Sequence, residues 1–232
     1  MSLTLIIGPM FSGKTTTLCE FIDRAMYTNQ KCVMIKYIKD NRYSEEEAIC
    51  THKKIYKIEH PDKLNIFAVE KLCDIVIPDD VNHIGIDEGQ FYSDLYISVT
   101  KWLYQRKHIY IAALNGDFMN KPFKPISYTL SLATNIIFMN AICMFCKSKD
   151  NKPVDAVYTV RTIQEKKIEL IGSDNIYKAS CLDCMIKYKL SQEKLELNQS
   201  KLELNQSKLE LTQSKLELNQ SKLELTQSKP EK

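Results

Sequence analysis

Leu3-Thr4-Leu5-Ile6-Ile7-Gly8-Pro9-Met10-Phe11-Ser12-Gly13-Lys14-Thr15 stands near the start of the 232-residue sequence, and it decides the fold class. The apolar run ending at Gly8 predicts a buried parallel strand that feeds a loop. Gly8 to Thr15 matches GxxxxGK[ST], and a helix is expected from about Lys14 to Tyr27. In such a loop the glycines let backbone amides turn inward around phosphate oxygens, and the helix N-terminus adds positive potential. Gly8, Pro9, Met10, Phe11, Ser12 and Gly13 therefore predict a nucleoside triphosphate cradle, with Lys14 neutralising β/γ charge and Thr15 ligating Mg²⁺. Further apolar runs at Lys31–Ile38, His83–Asp87 and His108–Leu114 read as central strands. Between the last two, Ser93–Lys107 places Leu95, Val99, Trp102 and Leu103 on one helical face. Strands alternating with helices indicate an α/β fold with a mainly parallel sheet.

A second polar site follows from His83-Ile84-Gly85-Ile86-Asp87-Glu88-Gly89-Gln90-Phe91, where two carboxylates stand at the end of an apolar strand. Ligands of open α/β sheets bind outside the carboxyl ends of the strands. Asp87 suits a metal-holding role beside the phosphates, which leaves Glu88 free to take a proton from an attacking hydroxyl. The bland alternative is an acidic helix start, since carboxylates are favoured in first turns.

Of eight cysteines, Cys19, Cys32, Cys50 and Cys73 are scattered, while Cys143, Cys146, Cys181 and Cys184 form two CxxC pairs with 34 residues between them. Two such turns present four thiolates to one tetrahedral Zn²⁺, and with every position a cysteine the metal is expected to be structural. The pairs enclose Asp155–Ile163 and Lys167–Ile171, which read as a small antiparallel ribbon. The expected division is a P-loop domain at 1–141, a zinc-binding domain at 142–190 and a tail at 191–232.

The composition is that of a globular chain, with 44% hydrophobic and 26% charged residues. The net charge of +3 resides in residues 1–190, which carry 25 basic and 22 acidic groups, too balanced for an electrostatic nucleic-acid partner. No apolar run reaches the roughly 18 residues of a membrane span, and Gly8-Pro9 interrupts the N-terminal run too soon for a signal peptide. A cytoplasmic, membrane-free protein is expected. The tail repeats Ser-Lys-Leu-Glu-Leu-Asn/Thr-Gln, with seven Lys and seven Glu over residues 191–232. Its leucines are spaced two and five apart, so on a helix they form two stripes about 200° apart. Glu precedes Lys by five positions, so the supporting i,i+4 pairs are missing. Two readings stay open: a mobile or partly helical appendage, and a helix pairing with another copy.

Together, GPMFSGKT, Lys36-Tyr37 followed by Asp40 and Arg42-Tyr43, Cys50-Thr51-His52, IGIDEGQF, AALNGDF followed by KPF, and the two CxxC pairs resemble type II thymidine kinases over about residues 1–188. The resemblance implies a RecA-like P-loop domain, a zinc-bearing lasso over the nucleoside, and a homotetramer or other homo-oligomer. It implies ATP and thymidine as partners. By position, Glu88 resembles the general base on the deoxyribose 5′-hydroxyl, and Asp87 and Gln90 belong to the phosphate and metal side. Phe118 matches a substrate-pocket aromatic, with Met10, Leu114 and Phe91 as neighbours around the base. Ile168, Glu169, Leu170, Ile171 and Gly172 would offer backbone groups to the pyrimidine edge, and Tyr177 would pack beside the nucleoside. Two positions depart from the family pattern: Lys53 replaces an acidic residue after Cys50-Thr51-His52, and Asn115 replaces the usual Asp. The implied activity is transfer of the ATP γ-phosphoryl group to thymidine. Its rivals are a kinase of broader deoxynucleoside range and a nucleotide-gated binding protein that uses the zinc ribbon.

Overall fold

The computed structural model describes residues 1–39, 49–51, 54–56, 61–150, 153–163 and 176–227. In chain order the first elements are β1 (Ser2–Gly8), α1 (Lys14–Tyr27), β2 (Lys31–Tyr37), the short strands β3 (Ile49–Thr51) and β4 (Lys54–Tyr56), and β5 (Leu64–Val69). Then come β6 (Val81–Ile86), α2 (Leu95–Tyr104), β7 (His108–Leu114), α3 (Lys124–Leu130) and β8 (Asn135–Phe138). The remainder is β9 (Ala141–Ile142), α4 (Met144–Asp150), β10 (Asp155–Ala156), β11 (Tyr158–Arg161), β12 (Tyr177–Ser180) and α5 (Leu182–Gln227).

Six strands form one parallel sheet in the order β5-β2-β6-β7-β1-β8. Successive side chains of a strand point to opposite faces, so β1 sends Leu3 and Leu5 to one layer and Ile6 to the other. The first layer is closed by Leu95, Val99 and Trp102 of α2 and Ile126 of α3, the second by Leu18, Cys19, Ile22 and Met26 of α1. Coverage on both faces explains why β1, β2 and β6 read as continuous apolar runs. The register pairs Gly8 with Leu114 and Ile35 with Ile86, so the P-loop, the Asp87 turn and the Asn115 loop leave the sheet at the same edge.

The expected central strands and both long helices of the sheet domain are present. Helix α2 is shorter than Ser93–Lys107 for a local reason: Arg106 turns left-handed at φ 63° while Lys107 N donates to Trp102 O and Arg106 N to Leu103 O. This is a Schellman-type stop. The edge strands β5 and β8 were not expected. Both are short apolar runs, Leu64–Val69 and Asn135–Phe138, in which only Leu64 is buried and Ile136 and Phe138 are about half exposed; runs this short carry no period that marks them as strands.

The ribbon differs in its pairing. Tyr158–Arg161 pairs antiparallel with Tyr177–Ser180, and Asp155–Ala156 pairs with Ala141–Ile142. The expected partner Lys167–Ile171 lies outside the described residues. By contact density the chain divides into two compact units, Met1–Met185 and Ile186–Lys232. The second is helical through Gln227, with Leu195, Leu197, Leu202, Leu204, Leu209 and Leu211 all exposed. No helix among the described residues is long and apolar enough to cross a membrane.

Candidate active site

The loop between β1 and α1 is shaped by two glycines whose roles differ. A Cβ on Gly8 would stand 2.3 Å from Met139 O, so the strand end tolerates no side chain there. Gly13 adopts φ 86°, a left-handed conformation that glycine enters without penalty, and it caps α1. Within the loop Ser12 Oγ donates to Pro9 O at 2.9 Å, and Lys14 Nζ donates to the same carbonyl at 2.6 Å. The lysine ammonium is thereby held over the loop whose amides would face a phosphate.

Thr15, in the first turn of α1, meets the end of β6: its Oγ1 donates to both carboxylate oxygens of Asp87, at 3.1 and 3.2 Å. Asp87 is itself buried, and its backbone N–H donates to Ile35 O. A hydroxyl and a carboxylate converging at this distance make an oxygen donor set of the kind Mg²⁺ takes beside phosphates. The next residue, Glu88, has φ 52° and ψ 42°, a left-handed conformation uncommon for a side-chain-bearing residue. The buried Gln90 side chain fixes what that strain sets up. Its Nε2 donates to Glu88 Oε2, while its Oε1 accepts from Leu114 N at 3.0 Å. Glu88 is therefore held from the adjacent strand β7, beside Asp87; it stands at the N-cap position of the 3-10 turn Gly89–Phe91, but its side chain makes no capping bond there.

The Asn115 loop is organised by Asp117, whose Oδ1 accepts from Met119 N at 2.9 Å and Lys121 N at 2.8 Å. This turn presents Phe118. Arg161 of β11 lies over the Phe118 ring with its guanidinium carbon 3.9 Å from the centroid, and its Nη2 donates to Tyr177 OH at 2.7 Å. The structure thus brings together the two aromatic residues expected at the nucleoside, Phe118 and Tyr177, and it does so through a residue that sequence reading passed over. The only signal for Arg161 was a charged residue at an inward position of an alternating strand. Thr159 was also missed in this role: its Oγ1 accepts from Met10 N at 3.0 Å, joining the ribbon to the P-loop. Asn115 Nδ2 donates to Val157 O at 2.9 Å, a bond that an Asp could not make, which gives that departure a structural reason.

Ile168, Glu169, Leu170, Ile171 and Gly172 lie outside the described residues, as do Asp40, Arg42, Tyr43, His52 and Lys53. Phe91 stacks on Tyr37 with ring centroids 5.1 Å apart.

The four cysteines of the two CxxC pairs meet as expected: their sulfurs all lie within 4.8 Å of one another, Cys146 being 3.5 Å from Cys184 and 3.8 Å from Cys181. Tetrahedral zinc with Zn–S of about 2.3 Å requires sulfurs about 3.8 Å apart, so the set fits that ion. Burial pushes the Cys143 thiol up, but the backbone amides of Cys181 and Cys146 together with the thiols of Cys146 and Cys181 bring it down to about 7, while Cys146 and Cys184 in the same cluster are raised. A thiolate is the form a metal takes.

The family model described as thymidine kinase matches residues 1–185. The chain is 37% identical over 187 residues to the thymidine kinase of vaccinia virus (strain Western Reserve), a match covering 79% of this chain and 96% of the viral protein. The thymidine kinase of variola virus (isolate Human/India/Ind3/1967) is 38% identical, and that of monkeypox virus 37%, over the same shares. Together with the P-loop, the Asp87-Glu88 turn and the four-cysteine cluster, these matches establish that the chain belongs to the thymidine kinase family.

Proposed function

We propose that this chain transfers the γ-phosphoryl group of ATP to the 5′-hydroxyl of thymidine, giving ADP and thymidine 5′-phosphate. The observation that carries the reading is the convergence, at one edge of the parallel sheet, of the P-loop, the Thr15 to Asp87 contact and a Glu88 carboxylate held by Gln90. The amides of Gly8 to Thr15 and the Lys14 ammonium bind and neutralise the triphosphate. Thr15 and Asp87 would hold Mg²⁺, which when bound offsets charge on the phosphates. Glu88 takes the 5′-hydroxyl proton as the O5′–Pγ bond forms. The bond from Pγ to the β,γ-bridging oxygen breaks, and its electron pair leaves with ADP.

Phe118 and Tyr177 wall the nucleoside, with Met10, Leu114 and Phe91 around the base and the backbone of residues 168–172 on its polar edge. Flat aromatic faces with few polar contacts suit a pyrimidine ring. Zinc on Cys143, Cys146, Cys181 and Cys184 braces the segment that carries these groups. We read residues 1–141 as the P-loop kinase domain, 142–190 as the zinc lasso and 191–232 as an appended tail. The chain works in the cytoplasm as a homotetramer or other homo-oligomer, without nucleic acid.

Kinetics of two variants test the assignment. General-base catalysis contributes about 10²–10⁴-fold, so Glu88→Gln lowers kcat by that order while both KM values change little. Thr15→Ala instead impairs use of Mg-ATP. Near-normal kcat in Glu88→Gln would remove Glu88 from the reaction and return it to the status of a turn residue.

A further inference from the structure

The repeat helix raises a question that phosphoryl transfer does not answer. In the repeat part of α5, Leu195, Leu197, Leu202, Leu204, Leu209 and Leu211 are exposed by 56 to 62%, on a helix without Glu-to-Lys pairs at i,i+4. A helix that is polar or mixed all round gains little from its own faces, and helical stability comes mainly from packing of an apolar stripe. The period is also informative. A straight α-helix drifts by about 20° per seven residues, so a strict seven-residue repeat keeps a stripe in line only when helices supercoil left-handed around one another.

Around a supercoiled helix each residue advances by about 103°. Measured from Leu202, Gln206 and Asn205 then lie at about +51° and −51°, Glu203 at about +103° and Lys208 at about −103°. This stripe, Leu195, Leu202 and Leu209, has Asn or Thr on one border, Gln on the other and opposite charges on its two flanks. The second stripe, Leu197, Leu204 and Leu211, has Lys at about 51° from its centre, where burial against a partner is costly. Ser200, Ser207 and Ser214 lie about 154° from the first stripe and spend their hydroxyls on carbonyls four residues earlier, at 2.9 Å each, so they ask nothing of a partner.

We propose that α5 pairs in parallel with α5 of a second copy of this chain through Leu195, Leu202 and Leu209. The occupant and its direction follow from charge. A two-fold axis along a parallel pair sets the Lys flank of one helix against the Glu flank of the other. An antiparallel pair sets Glu against Glu and Lys against Lys. The pairing belongs to the tail, outside the residues 1–185 that match the family, and it adds to any association of the kinase unit.

Three full-length proteins, compared by sedimentation and far-ultraviolet circular dichroism, test this. L195Q/L202Q/L209Q weakens assembly at least tenfold and loses helicity, whereas L197Q/L204Q/L211Q matches the parent in both; thymidine turnover per chain stays level in all three. Equal weakening by the two triple variants, or no change in either, overturns the proposal. Direction is read by mixing the parent with a chain whose flanks are exchanged (E196K/E203K/E210K with K201E/K208E/K215E), each bearing a photo-cross-linking side chain in place of Gln206. A parallel pair gives adducts of parent with parent and exchanged with exchanged. Predominance of mixed adducts would mean an antiparallel pair, and adducts into residues 1–185 would mean that the tail docks elsewhere; either result overturns the proposal.

Discussion

A residue held at φ 52° with a carboxylate side chain costs on the order of 1–3 kcal/mol, and such strain survives only where the surroundings impose it. At Glu88 the imposing groups are named: Asp87 on one side, whose Oδ1 accepts from Glu88 N at 3.0 Å, and the Gln90 amide bound to β7 on the other. Gln90 thus works by orienting Glu88, a role beyond the phosphate-side placement expected for it. Arg161 is the corresponding positioning group for Phe118 and Tyr177, the proposed nucleoside wall. Its planar guanidinium covers Phe118 and bonds Tyr177, a combination that an ammonium cannot reproduce. Arg161→Met is therefore expected to raise the thymidine KM about tenfold with kcat and the ATP KM nearly unchanged, and Arg161→Lys to recover part of the loss through the Tyr177 bond. Steady-state kinetics in both substrates checks this, because a general loss of folding would lower kcat per mole without separating the two KM values. The resemblance pointed to Phe118 and Tyr177 as nucleoside contacts, and the structure joins both through Arg161. Arg161 was not, because one charged residue within Tyr158-Thr159-Val160-Arg161 carries no motif and its partners are distant in sequence.

Among elements, the central strands were readable because burial on both faces leaves an unbroken apolar run, and the P-loop because its chemistry fixes its spacing. β5 and β8 escaped reading because they are short apolar runs, with one Asn each, whose length alone does not separate strand from helix. The N-terminal ends of β6 and β7 carry a feature of another kind: His83 and His108 stack with centroids 4.9 Å apart, and Ser2 Oγ lies 2.9 Å from His108 Nδ1. Burial, then His108, then the N-terminal ammonium bring His83 down to about 4. Its folded value is below the unfolded one of about 6.5, so the unfolded chain binds the proton first and stability is lost as pH falls from about 6.5 towards 4. Thermal unfolding followed across that window should show a falling Tm, with a shallower fall in His83→Gln; an unchanged slope would assign the acid sensitivity to other groups. The four-cysteine cluster makes a separate expectation. Elemental analysis of fresh protein should find one zinc per chain, and Cys181→Ser, four residues after Tyr177, should weaken thymidine binding more than ATP binding.

At the scale of the whole molecule, the sheet gathers the P-loop, the Thr15–Asp87 contact and the Asn115 loop at one edge, and the ribbon reaches that edge through Thr159 on Met10 and Asn115 on Val157. The P-loop edge alone would suit any nucleotide-dependent switch. What makes it a kinase site in this account is the hydroxyl-bearing acceptor walled by Phe118 and Tyr177, so the rival reading of a nucleotide-gated binding protein differs in what stimulates turnover. The measurement is ADP release by the full-length protein with Mg-ATP, with thymidine, other deoxynucleosides or DNA supplied in turn, and the phosphorylated product identified by mass. ADP release is expected to depend on thymidine and to match thymidine 5′-phosphate one for one. ADP release stimulated by DNA, or without a phosphorylated nucleoside, would contradict the kinase reading.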